Sequence, residues 1–200
     1  MYHTIKQIID KIDFETISTE RKSELKVLSD YIQRKKNANN TVHLNFICTH
    51  NSRRSQFSQI WAKVAADYFK IDASTYSSGV EVTAMNKRVV DSLKRFGFDI
   101  EGEGNDNPHY SVVYSASSKA LTAFSKLIED ASNPTENFAA IMTCAHADEN
   151  CPIVVGCEDC IPIRYDDPKA FDDTALQSCM YDYRSFQIAS EMFYVFSILK

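Results

Sequence analysis

Apolar side chains recur at helical spacing along the first forty residues. Ile5, Ile8, Ile9 and Ile12 share one face, and after Ser18-Thr19 so do Leu25, Leu28 and Ile32, so two helices are predicted. They form an N-terminal helical extension over residues 1–40. The polar run from Arg34 to Asn40 reads as a solvated linker whose basic residues are surface. From Thr41 the texture changes to short β-rich runs alternating with amphipathic helical patterns, the signature of a parallel sheet covered by helices over residues 41–200. Residues 42–47 read as a buried strand, followed by a helix with Phe57, Ile60, Trp61, Val64 and Tyr68 on one face. A second strand is expected over residues 73–78. Gly79 turns the chain, and Met85, Val89, Leu93 and Phe96 make a further helical stripe that Gly97 stops. Residues 138–143 read as the third core strand and 161–165 as the fourth, which Pro162 assigns to an edge. Residues 112–114 suggest a small extra strand. Residues 183–199 read as a helix in which Phe186, Phe193 and Phe196 are core packing. The fold class is therefore α/β, a four-stranded parallel sheet flanked by helices, with an N-terminal helical extension.

Composition narrows the partners. The chain of 200 residues is 44% hydrophobic and 24% charged, enough apolar material for a real core. Its formal net charge of -5 gives no overall field to attract nucleic acid or an anionic membrane, so any anion site must be local. No apolar run approaches the length of a spanning helix, and the first residues lack the basic and apolar regions of a signal peptide, so a cytoplasmic protein is expected. Six cysteines in such a chain direct attention to redox chemistry or metal binding.

The octet Cys48-Thr49-His50-Asn51-Ser52-Arg53-Arg54-Ser55 puts a cysteine at the carboxyl end of a buried strand and an arginine six positions later at the start of a helix. A loop wrapped between strand and helix turns successive backbone N–H groups inward, and the helix terminus adds positive potential, so a tetrahedral oxyanion is held without net basic charge. The same field favours the thiolate of Cys48, the form that attacks phosphorus or arsenic. Arg54 forks two donors onto equatorial oxygens, which a lysine does not do. Ser55 is placed to donate to the Cys48 sulfur, and Asn51 suits a left-handed position within the loop. The plain alternative makes Cys48 a core residue and Arg54 a surface one.

In this strand-loop-helix setting CTHNSRRS resembles the signature loop of the low-molecular-weight protein tyrosine phosphatase superfamily, which includes thioredoxin-coupled arsenate reductases. The resemblance covers residues 41–200. Two positions depart from it: His50 stands where glycine is usual, and Arg53 replaces a second loop cysteine. The segment from Met142 to Pro152 resembles the paired redox cysteines of the arsenate reductases, with Cys144 and Cys151 in the matching places. Tyr165-Asp166-Asp167-Pro168 resembles the loop carrying the superfamily's general acid, which implies that role for Asp167; Lys169 follows where the tyrosine phosphatases usually have Tyr.

The resemblance implies a thioredoxin-coupled arsenate reductase. Cys48, Arg54 and Asp167 act on the oxyanion, residues 49–55 bind it, Cys144 and Cys151 relay the disulfide, and no cofactor is needed. The second reading is a phosphatase acting through phosphorylated Cys48 on phosphotyrosine or a small phosphate monoester. A third is a non-catalytic redox-sensing module. Cys157 and Cys160, with Cys144, His146 and Cys151 nearby, allow a zinc site to be drawn, but the spacing lacks paired knuckles and no metal is expected. Cys157, Cys160 and Cys179 are otherwise incidental thiols, and His43 and His109 carry no expected chemistry.

Overall fold

The computed structural model describes residues 1–145 and 154–200. Four strands form one parallel sheet: β1 (Val42–Cys48), β2 (Ala73–Gly79), β6 (Phe138–Met142) and β7 (Cys157–Pro162), in the order β2-β1-β6-β7. Alternation explains why the inner strands read as continuous apolar runs. Leu44, Phe46, Ala139 and Ile141 point into the larger core, while Ile47, Phe138, Ala140 and Met142 point into a smaller cluster on the other face.

The helices are α1 (His3–Ile9), α2 (Thr19–Asn37), α3 (Arg54–Tyr68), α4 (Lys87–Arg95) and α5 (Gln177–Ser197). On the larger-core side α2 and α3 lie against the sheet, and α5 packs on both of them and on α4. Trp61 anchors this layer. It is fully buried, stands edge-on to Phe96 and Phe98, and donates from Nε1 to Ser185 Oγ at 3.0 Å. Each such side chain contributes roughly 1.5–3 kcal/mol relative to exposure. Ile5, Leu25, Leu28 and Ile32 of the N-terminal helices are buried in the same core as the sheet.

Two expectations are corrected and a third is borne out with earlier bounds. Of the run expected as a solvated linker, residues 34–37 are the last turn of α2, and Lys35 there is 5% exposed and pairs with Glu158 at 2.8 Å, while Arg34 pairs with Asp159. The fourth strand runs over Cys157–Pro162, earlier than its apolar residues suggested, because Glu158 and Asp159 are strand residues held by those cations. It is an edge strand, and Pro162 is its final residue. The short strand near Val112 belongs to a separate antiparallel sheet of β3 (Asp99–Glu103), β4 (His109–Val113) and β5 (Leu121–Ala123). In β3 only Ile100 is buried, so the sequence shows almost no alternation there.

The strand order sets the site. The chain leaves β1 for β2 on one side and returns to β6 on the other, so the carboxyl ends of β1 and β6 flank a reversal point, where open α/β sheets form their ligand crevice. Cys48 ends β1, and Cys144 lies two residues beyond β6.

Candidate active site

The loop between Cys48 and Arg54 is held by a dense set of short-range and long-range hydrogen bonds. Asn51 takes the left-handed conformation with φ 46° and is fully buried. Its Oδ1 accepts from the Lys126 backbone N–H at 3.0 Å, and its Nδ2 donates to Ser55 Oγ at 2.8 Å. Because the Ser55 oxygen accepts there, its own proton is left for the Cys48 sulfur 3.1 Å away. The outer side of the loop is fastened to its neighbours: Glu81 N–H donates to Thr49 O, Ser125 Oγ to His50 O, and Asn86 N–H to Ser52 O. Gly79, opposite Cys48 in the β1–β2 register, leaves room for this wrap; a Cβ there would lie 2.6 Å from Asn51 N and 2.8 Å from Thr49 O.

α3 starts at Arg54 with no side-chain cap, so its N-terminal potential is offered at the same edge as Cys48. The Arg54 guanidinium reaches over this edge. Nη2 pairs with Asp167 Oδ2 at 2.9 Å, Nη1 donates to Tyr165 O at 3.2 Å, and Nε is buried without a partner among the described residues. A buried guanidinium N–H without an acceptor is expensive to leave so, and a bound oxyanion would supply one.

Asp167 caps a 3-10 turn over Pro168–Phe171, accepting from Lys169 N–H at 3.0 Å, and the buried Pro168 fixes the chain behind it. Asp166 turns outward and meets Arg184 at 3.3 Å. Beneath the loop Tyr165 is packed under Arg21, and burial raises its phenol pKa well above the usual range.

Of the sequence-predicted residues, the structure brings Cys48, Thr49, Asn51, Arg54, Ser55 and Asp167 to one edge. Cys144 is buried beside them, its sulfur 3.6 Å from Thr49 Oγ1. Cys151 and His146 lie outside the described residues. His50 faces outward to Glu81 at 3.1 Å, and Ser52 Oγ donates to Ala84 O. Arg53 leaves the loop altogether: its Nε donates to Tyr181 OH at 2.8 Å and its Nη2 to Asp172 at 3.3 Å. Burial and the hydrogen bond to Asp172 raise the Tyr181 phenol to about 12. Tyr181, Asp172, Ser125 and Lys126 are site supports that sequence reading missed. They lie far along the chain, and nothing in their local spacing marks them. Among the described residues no His, Cys, Asp and Glu group has the arrangement of a metal site.

The chain has the fold of the low-molecular-weight phosphotyrosine phosphatases: it matches one from Vibrio cholerae with a TM-score of 0.52 at 10% identity, over 76% of this chain and 93% of that one. A low-molecular-weight protein tyrosine phosphatase from T. tengcongensis matches with a TM-score of 0.50 at 12% identity, over 79% and 99%. In sequence it is similar to arsenate reductases. That of Staphylococcus aureus (strain Newman) is 33% identical over 109 residues, 54% of this chain and 63% of that protein. Arsenate reductase 1 of Staphylococcus saprophyticus is 28% identical over 109 residues, 54% and 65%. The chain thus spans less than two thirds of the length of these relatives. No protein-family model matches it. Among the described residues no helix is long and apolar enough to cross a membrane.

Proposed function

We propose that the chain is a thioredoxin-coupled arsenate reductase of the cytoplasm, built on the phosphatase fold. The observation that carries this reading is the position of Cys144. A second thiol, buried against Thr49 at 3.6 Å from its hydroxyl, has no use in phosphate ester hydrolysis.

In the proposed sequence the Cys48 thiolate attacks arsenic while Arg54 holds the oxyanion, and Asp167 gives its proton to the departing oxygen, which leaves as water. The Cys144 thiolate then attacks the Cys48 sulfur. The sulfur–arsenic bond breaks, its electron pair stays on arsenic, and arsenite leaves as the two thiols become a Cys48–Cys144 disulfide. Cys151 next attacks Cys144, which frees Cys48 and leaves a Cys144–Cys151 disulfide for the dithiol of a thioredoxin to reduce. Neither metal nor organic cofactor enters these steps.

The second reading, a phosphatase forming a phosphocysteine at Cys48, is favoured by the same Cys48, Arg54 and Asp167 geometry. One experiment separates the two. Cys144→Ser and Cys151→Ser are assayed for arsenate reduction with a thioredoxin system and for aryl phosphate hydrolysis. The reductase reading expects multi-turnover reduction to collapse in both while any hydrolysis persists. Peptide mapping after arsenate treatment should find a Cys48–Cys144 disulfide in Cys151→Ser. Normal turnover in both variants, with no Cys144–Cys151 disulfide in the wild type, gives first place to the phosphatase.

A further inference from the structure

Away from the Cys48 crevice, β2 and β5 are outer strands of their two sheets, and between them opens a cavity of about 510 Å³. Gln59 and Lys63 of α3, Thr75 of β2, Lys119, Phe124 and Lys126 line it. Lys126 is the unusual member. It is only 4% exposed, its ammonium lies 4.6 Å from the Phe124 ring centroid, and among the described residues no carboxylate forms an ion pair with it. Burial pulls its pKa down to about 8, against a weaker attraction from Asp130. A lysine so largely withdrawn from solvent usually meets a carboxylate, because its desolvation is not repaid by the face of one ring.

Two buried atoms in the wall lack a hydrogen-bond partner among the described residues. Gln59 Nε2 donates to Thr75 O at 3.2 Å, and among the described residues Gln59 Oε1 is buried with no donor and Thr75 Oγ1 is buried with no partner. Gln59 is 3% and Thr75 5% exposed. Lys63 is engaged by Asp67 at 2.7 Å, and Lys119 stands exposed at the rim. The wall therefore offers cations and a hydroxyl to an anion, and one carbonyl oxygen to a donor.

We propose that this cavity is a second ligand site, for a small hydroxylated molecule that bears a phosphate or carboxylate group. The anionic group meets Lys126 and Lys119 and takes the Thr75 hydroxyl; a ligand hydroxyl donates to Gln59 Oε1. The site holds whichever chemistry Cys48 performs. It also shares a wall with the catalytic loop. The Lys126 N–H donates to Asn51 Oδ1, the Lys126 carbonyl accepts from Gly79 N–H at 2.9 Å, and Gln56 Nε2 bridges Phe124 O and Asn51 O. Phe124 and Lys126 thus belong to the walls of both sites.

The test is an NMR titration of the ¹⁵N-labelled wild type with glucose 6-phosphate and, separately, citrate. Calorimetry of Lys126→Met runs alongside. Saturable shifts at the amides of Gln59, Thr75 and Lys119 with at least one probe, and affinity roughly tenfold weaker in Lys126→Met, are expected. The stronger probe identifies the anionic group. Shifts confined to residues 48–55 with both probes, or undiminished binding by Lys126→Met, overturn the proposal. Should that variant not fold, Lys119→Ala at the exposed rim carries the same comparison, with a loss of about threefold expected and no loss as the refutation.

Discussion

At Arg54, a charge and a shape are both in use. The guanidinium pairs with Asp167, donates to the Tyr165 carbonyl and holds Nε in reserve, three directions that a lysine ammonium at the end of a flexible stem does not cover together. Arg54→Lys should therefore lower kcat by roughly 10²–10³-fold although the charge remains, as loss of a preorganised oxyanion donor does. Steady-state kinetics on either candidate substrate reads this, and a near wild-type rate would place the guanidinium outside the reaction. Asp167→Asn separates binding from chemistry. Asp167 pairs with Arg54 and so competes with a substrate for it; the amide should leave oxyanion binding equal or tighter while turnover falls by about 10²-fold or more, because no proton is delivered to the leaving oxygen. Binding that weakens in parallel with turnover would show that Asp167 holds the anion rather than the proton. Asn51 is a structural counterpart to both. Asn51→Gly keeps the left-handed backbone and loses two buried hydrogen bonds, with an expected loss of about 1–3 kcal/mol in urea denaturation. Asn51→Ala adds the left-handed strain and should be worse by about 1 kcal/mol more. Equal stabilities would mean that φ at this position is not what asparagine supplies.

At the level of elements, the site is a junction of two strand ends, one helix start and three loops. β1 and α3 were legible in the sequence because each carries its own pattern, an apolar run and an apolar stripe, and the octet between them is chemically dense over a short span. The supports of the loop were not. Gly79 reads in sequence only as a turn, yet its missing side chain is what lets Thr49 and Asn51 pass β2. Gly79→Ala would press a Cβ onto backbone atoms at 2.6 and 2.8 Å, and backbone does not rotate away. A loss of roughly 1–3 kcal/mol is expected, together with a rate loss from a displaced loop. A thermal melt and an activity assay on the same preparation check it, and full activity at unchanged stability would show that the β2 turn gives way freely. Of the antiparallel sheet only the short strand near Val112 was legible, and the rest was missed for a different reason. β3 is exposed at every position but Ile100, so no periodic signal distinguishes it from a polar loop.

For the whole molecule, the question is what the N-terminal helices contribute to a site they do not enter. Their apolar faces lie in the shared core, but the sharper link is Arg21 of α2. Its Nε and Nη2 donate to Glu191 of α5 at 3.1 and 2.8 Å, Nη2 also donates to the Arg164 carbonyl at 3.1 Å, and its guanidinium covers the Tyr165 ring. One cation thus ties α2, α5 and the segment that leads into Asp167. Glu191 is 3% exposed, so removing Arg21 strands a carboxylate in the core, a change that typically destabilises by about 3–5 kcal/mol, whereas removing both charges does not leave one alone. Arg21→Met should accordingly be strongly destabilised and Arg21→Met/Glu191→Gln should regain much of the loss. Urea denaturation of the two variants measures that recovery. The double variant should nevertheless turn over more slowly than wild type, because the Arg21 hydrogen bond to the Arg164 carbonyl, one tether of the Asp167 loop, is gone. Recovery of both stability and full turnover would mean that Arg21 acts on the core alone, and that the N-terminal helices have no hold on the acid loop.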